Sequence, residues 1–121
     1  MQSYKLYDLN LIHTMTRGNS EKTRNMIRVF TEQTPQLVTK MKHAYEQKDF
    51  QMLNEVAHKM KPTMTYYGVP SLAEDLRLIE NLAVEKPGSP LIAGALSHVE
   101  QLTKMVVHEM ENDFMELSET A

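Results

Sequence analysis

Between residues 50 and 67 every apolar anchor falls three or four places after the last: Phe50, Leu53, Ala57, Met60, Met64 and Tyr67. That spacing puts all six on one side of an α-helix, whose 3.6-residue turn brings a side chain back to the same face after three or four positions. A half-buried strand would alternate by two. The same rhythm recurs elsewhere. From Ser20 to about Lys48 it reads Met26, Phe30, Gln33, Leu37, Met41 and Ala44. From Pro70 or Ser71 it reads Leu72, Leu76, Ile79 and then Leu82 or Ala83. Over roughly 90–117 it reads Ile92, Ala95, Val99, Leu102, Val106, Met110, Phe114 and Leu117. A shorter run, Tyr4 to Met15, offers Leu6, Leu9 and Ile12 as its inward side.

The breaks between these runs are short and rich in turn residues: Gly18-Asn19-Ser20, Lys48-Asp49, Gly68-Val69-Pro70 and Lys86-Pro87-Gly88-Ser89-Pro90. Ser20 and Asp49 stand where N-caps belong, because their side chains accept from backbone N–H groups that a first turn leaves unpaired. Pro35 falls inside the second run and predicts a kink or brief break near Thr34. Short connectors make consecutive helices antiparallel neighbours. The expected fold is all-α: an antiparallel up-down four-helix bundle with an additional short N-terminal helix, forming a single domain over 1–121.

Composition narrows the function. A chain of 121 residues supports one core. Four Gly and five Pro are too few for the turns of an all-β fold, and ten Met with three Phe and no Trp suit an aliphatic, adaptable core. With no Cys there is no thiol nucleophile and no Cys-ligated metal, as a reducing cytoplasm would favour. The N-terminus lacks the basic-then-apolar pattern of a secretory signal, and no stretch approaches the roughly 18 apolar residues of a membrane span. A net charge of −3 disfavours nucleic acid as a partner.

His58 stands out. It lies roughly 130° from the centre of the apolar stripe of its helix, among the polar residues Gln51, Asn54, Lys61 and Thr65. A core histidine would sit on the stripe, so this one is expected to be exposed. Lys61, three residues on, shares its surface. An imidazole is partly neutral near pH 7, and a cation beside it favours the neutral, nucleophilic form. A phosphoryl group on the ring would bring close to two negative charges for Lys61 to offset. Phosphoryl transfer asks the protein mainly for positioning and charge stabilisation. On spacing alone, however, a His–Lys pair on a helix is ordinary surface.

The surrounding residues add to this. The stretch AHKMKPTMTYYGVPSLAEDLRLIENLA resembles the signature of histidine-containing phosphotransfer (HPt) domains of two-component phosphorelays. Ala57-His58 and Lys61 match its first block, with Met60 in place of the usual Leu, and Gly68 stands ten residues after the histidine. Leu72 and Leu78-Ile79-Glu80 match the helix that follows, and Phe30, Pro35, Leu37 and Asp49 agree upstream. The resemblance covers about residues 6–85 and the last helix only generically. It implies that His58 accepts the phosphoryl group through its distal ring nitrogen and that Lys61 steadies that group. It also implies that Glu80 holds the other ring nitrogen, although a solvated helix residue would serve as well at that position. Expected partners are receiver domains of response regulators or hybrid histidine kinases. No cofactor is expected on this chain, because Mg²⁺ would sit on the receiver; the expected state is a monomeric, cytoplasmic carrier. Two rivals remain: a degenerate module that binds receivers without transfer, and a structural helical adaptor.

One residue departs from the pattern. Pro62 replaces the Gly that normally follows the lysine, and it cannot donate the helical bond to the carbonyl of His58. This predicts a bend between His58 and Pro62, with that carbonyl left to water or Thr65. Elsewhere the sequence is quieter. His108-Glu109 begins like a zinc-protease motif but has Asn112 where a second ligand belongs, and His13, His43, His98 and His108 include no i, i+4 pair, so no metal site is expected. No Gly-rich phosphate loop is present, so autonomous ATP-dependent kinase activity is not expected. The acidic end, Glu109 to Glu119, reads as a solvated helix face.

Overall fold

The computed structural model describes residues 6–115. It contains α1 (Asn10–Thr16), α2 (Ser20–Glu46), α3 (Phe50–Tyr66), α4 (Pro70–Glu85) and α5 (Leu91–Met110), the last continued by a π-helical turn, Glu111–Met115. Helices α2 to α5 form a closed ring in which α2 packs on α3, α3 on α4, α4 on α5 and α5 back on α2. This is the expected four-helix bundle, with α1 laid across α2. Among the described residues no helix is long and apolar enough to cross a membrane.

Helix ends follow local chemistry. The Asp49 carboxylate accepts from the Met52 backbone N–H at 3.1 Å and caps α3 as expected. At α2 the cap is one residue earlier than expected: Asn19 accepts from the Lys22 N–H at 2.9 Å, and Ser20 is already helical. Pro70 opens α4 at a position where a missing N–H costs nothing. Helix α1 is shorter than its apolar pattern suggests. Residues 6–9 are not helical, yet Tyr7 and Leu9 are buried, so this stretch contributes to the core from outside any helix, beside Ile12 of α1.

The inward faces of α3, α4 and α5 follow the stripes read from sequence, with Val56, Leu96 and Thr103 added and Phe50, Leu102 and Phe114 only half-buried; Leu117 lies outside the described residues. Helix α2 is rotated relative to the expected stripe. Its buried residues are Thr23, Ile27, Phe30, Thr31, Thr34, Val38, Met41 and Ala44, while Gln33 is exposed. Three threonines disguise this face. The hydroxyls of Thr23 and Thr31 bond back to the carbonyls of Asn19 and Arg28, and that of Thr23 also meets the Thr16 hydroxyl of α1 at 3.1 Å, so both are satisfied in the core. Both internal prolines are also tolerated without a break, since α2 runs through Pro35 and α3 through Pro62. Each loses one backbone bond, a cost of about 3 kcal/mol that burial along a long helix offsets. The Thr65 hydroxyl reaches the carbonyl of Lys61, not that of His58.

The end of α3 is set by Gly68, whose φ of 67° is left-handed. A β-carbon there would lie 2.1 Å from the backbone oxygen of Asp8, so the turn can admit the N-terminal segment only with glycine. Tyr67 is buried against Phe30, with ring centroids 4.6 Å apart, and its hydroxyl donates to the Met26 carbonyl at 2.8 Å. The acidic end is not merely a solvated face. Glu109 accepts from the Leu6 N–H at 2.9 Å, and Asp113 accepts from the Tyr7 hydroxyl. Burial, reinforced by Asp113, pushes the Tyr7 phenol pKa up. These contacts tie residues 6 and 7 to the end of the last helix; residues 116–119 lie outside the described part.

Candidate functional site

Residues on opposite sides of the α3–α4 seam meet where α3 turns its polar face outward. Burial of Leu53, Ala57, Met60 and Met64 fixes the rotation of α3, which leaves the His58 side chain 69% exposed. Burial of Leu76, Ile79 and Ala83 fixes α4 in the same way. Glu80, one position past Ile79, therefore projects from the edge of the α4 stripe toward α3. The structure brings together all three residues singled out in the sequence.

Glu80 is the centre of the group. Its Oε1 lies 2.5 Å from His58 Nδ1, and its Oε2 accepts from Lys61 Nζ at 2.8 Å. Its side chain is only 15% exposed. Burial pushes the Glu80 carboxyl up, but the hydrogen bonds and charges of Lys61 and His58 outweigh that and hold it below its ordinary value. Glu80 is therefore an ionised, acceptor-only carboxylate at neutral pH, and His58 Nδ1 must carry the proton between them. In the neutral ring this assigns the tautomer: Nδ1–H faces the protein, and Nε2 presents a lone pair on the open side.

Lys61 does not stand beside the imidazole as a free cation, as its spacing alone suggests. It reaches His58 through Glu80, and neutralises the carboxylate that orients the ring. One participant was legible only as a polar neighbour. Asn54, one turn before His58, donates from Nδ2 to the backbone carbonyl of Glu80 at 2.7 Å. On the other flank of α3, Lys59 joins Gln33, Gln36, Leu37 and Lys40 in lining a shallow groove of ≈ 400 Å³ against α2. Neither Lys40 nor Lys59 is in an ion pair among the described residues.

A second imidazole is held across the next seam: His98 on α5 pairs through Nδ1 with the Asp75 carboxylate of α4. No spacing rule reveals it, because its two halves are 23 residues apart. Among the described residues no cluster of three His, Asp or Glu side chains could hold a metal ion.

Residues 25–113 match the model of a family described as the Hpt domain. The crystal structure of the HPT domain from the Hpt sensor hybrid histidine kinase of Shewanella is similar, with a TM-score of 0.75 at 19% identity. The alignment covers 93% of this chain and 97% of that one, and at this identity the likeness is one of fold. A search of curated proteins finds no match.

Proposed function

The chain belongs to the Hpt domain family, and on that premise we propose that it is a phosphorelay carrier that takes a phosphoryl group onto Nε2 of His58 from a receiver-domain aspartate and passes it to another receiver. The observation that carries this reading is the exposed His58 ring with Nδ1 engaged by Glu80. Only Nε2 is left to a partner.

The step balances without a cofactor on this chain. The Nε2 lone pair attacks phosphorus as the P–O bond to the aspartate breaks, and the carboxylate leaves with that electron pair. No proton need leave, because Nε2 has none in this tautomer. As the N–P bond forms, positive charge develops on the ring, and the Nδ1–H···Glu80 contact stabilises it. Before transfer Glu80 and Lys61 cancel each other's charge. The incoming phosphoryl group adds close to two negative charges, and Lys61 is the cation placed to turn toward them. In reverse, Glu80 keeps the ring oriented while the phosphoryl group departs. Mg²⁺ is expected on the receiver.

Docking in this reading uses the face around His58, including the groove with Lys40 and Lys59, whose positive charge suits the acidic pocket of a receiver. The contact is modest and short-lived, as a carrier that must leave one receiver for another requires. The expected setting is the cytoplasm.

The test is incubation with a phosphorylated receiver. Transfer that vanishes in His58→Gln supports the carrier. Binding without transfer supports the degenerate module that Pro62 raises, and neither binding nor transfer leaves a structural adaptor.

A further inference from the structure

Glu80 is held at a third point that the proposed chemistry does not use. Asn54, His58 and Lys61 follow one another along α3 at intervals of four and three, and each contacts a different atom of Glu80: the backbone oxygen at 2.7 Å, Oε1 at 2.5 Å and Oε2 at 2.8 Å. Among the described residues these are the directional contacts between α3 and α4. Two of the three involve groups whose charge changes or moves during transfer. The Asn54 bond does not change, since a backbone carbonyl can only accept and the amide must present Nδ2 to it.

The bond fixes something the apolar seam leaves loose. Packing of Leu72, Leu76 and Ile79 is non-directional, and tolerates small sliding of one helix along the other. A slip by one residue moves a helical side chain by about 1.5 Å. That exceeds the whole width of the hydrogen-bonding range, about 2.7–3.2 Å for N–H···O. A carboxylate that must meet a ring nitrogen therefore needs its backbone held in register.

We propose that Asn54 is a positioning residue for His58: by pinning the α4 backbone at Glu80, it sets the level at which the carboxylate meets the imidazole, and so selects the tautomer that leaves Nε2 unprotonated. The proposal rests on the carrier reading only for its consequence in rate, because the tautomer can be read without transfer.

The experiment uses the full chain with ¹⁵N-labelled histidine. In the wild type the His58 nitrogens should give one protonated Nδ1 signal and one unprotonated Nε2 signal. In Asn54→Ala the two should move toward each other as the tautomers mix. Phosphorylation by phosphoramidate, a donor too small to need docking, should fall about fivefold, the factor that one neutral hydrogen bond is worth. Asn54→Leu, of similar volume but with neither donor nor charge, should behave like Asn54→Ala and serves if the alanine variant folds poorly. In a Glu80→Ala background the Asn54→Ala change should have no further effect on either readout. The idea is overturned if both Asn54 variants keep the wild-type ring signals and rate. It is also overturned if Asn54→Ala costs as much without the Glu80 side chain as with it. Failure of the wild type to take phosphate on His58 would instead sink the carrier reading while leaving the ring signals to decide the role of Asn54.

Discussion

Helix α4 offers a carboxylate to each of its neighbours, and the two seams come out differently. On the α3 side Glu80 holds His58; on the α5 side Asp75 holds His98, again through Nδ1. Both imidazoles are largely exposed, at 69% and 53%. What separates them is the surroundings of the carboxylate. Glu80 is also bound by Lys61 and pinned through its backbone by Asn54. Asp75 has no lysine partner among the described residues. In the proposed reading, an exposed histidine with an oriented ring is not enough to make an acceptor. A cation able to meet the arriving charge, and a fixed level for the orienting carboxylate, distinguish one seam from the other.

The largest test of that distinction is removal of each ring. His58→Gln should abolish phosphoryl uptake from a phosphorylated receiver, whereas His98→Gln should leave it within about twofold, both read by intact-protein mass spectrometry. Equal losses would erase the contrast. Next, Lys61→Ala should slow transfer about tenfold, in keeping with the loss of one charge-assisted contact to the phosphoryl group. A smaller effect is expected in stability. Because the Glu80 pKa is lowered on folding, its contribution is fully present above the ordinary carboxylate value of 4.5 and is lost as pH falls through the depressed folded value. Glu80→Gln should accordingly cost about 1 kcal/mol at pH 7, and urea melts of the two proteins should converge in acid. Asp75→Asn, at the more open pair, should cost no more than about 0.5 kcal/mol at pH 7 by the same melts. The smallest effect expected is a gain: Gln101→Lys, which sets an ammonium three residues after His98, should raise phosphoramidate labelling of His98 about twofold in a His58→Gln background.

The two seams also differ in how far they could be read in advance. His58 was legible because exposure follows from its angle to the stripe on one helix, and Lys61 because three residues along a helix means adjacency. The role of Glu80 came from the family resemblance, since no local rule links positions 58 and 80. The His98–Asp75 pair had no such aid and went unread. The same limit explains α2. A hydropathy stripe treats threonine as polar, so the buried Thr31 and Thr34 hid the true inward face and put Gln33 in their place. It also explains the acidic end, where Glu109 and Asp113 look solvated until the N-terminal segment is laid beside them.

By itself the sequence determined the five helices, the Asp49 cap, the glycine turn at Gly68 and the outward placement of His58. These depend on periodicity and on contacts within a few residues, which any stretch of chain expresses locally. The tertiary structure alone decided that Lys61 reaches His58 through Glu80, that Asn54 anchors α4, and that α2 packs on threonines. Those outcomes depend on the axial register and rotation of one helix against another. Register is set by the packing of the whole bundle, and no spacing within a single helix encodes it.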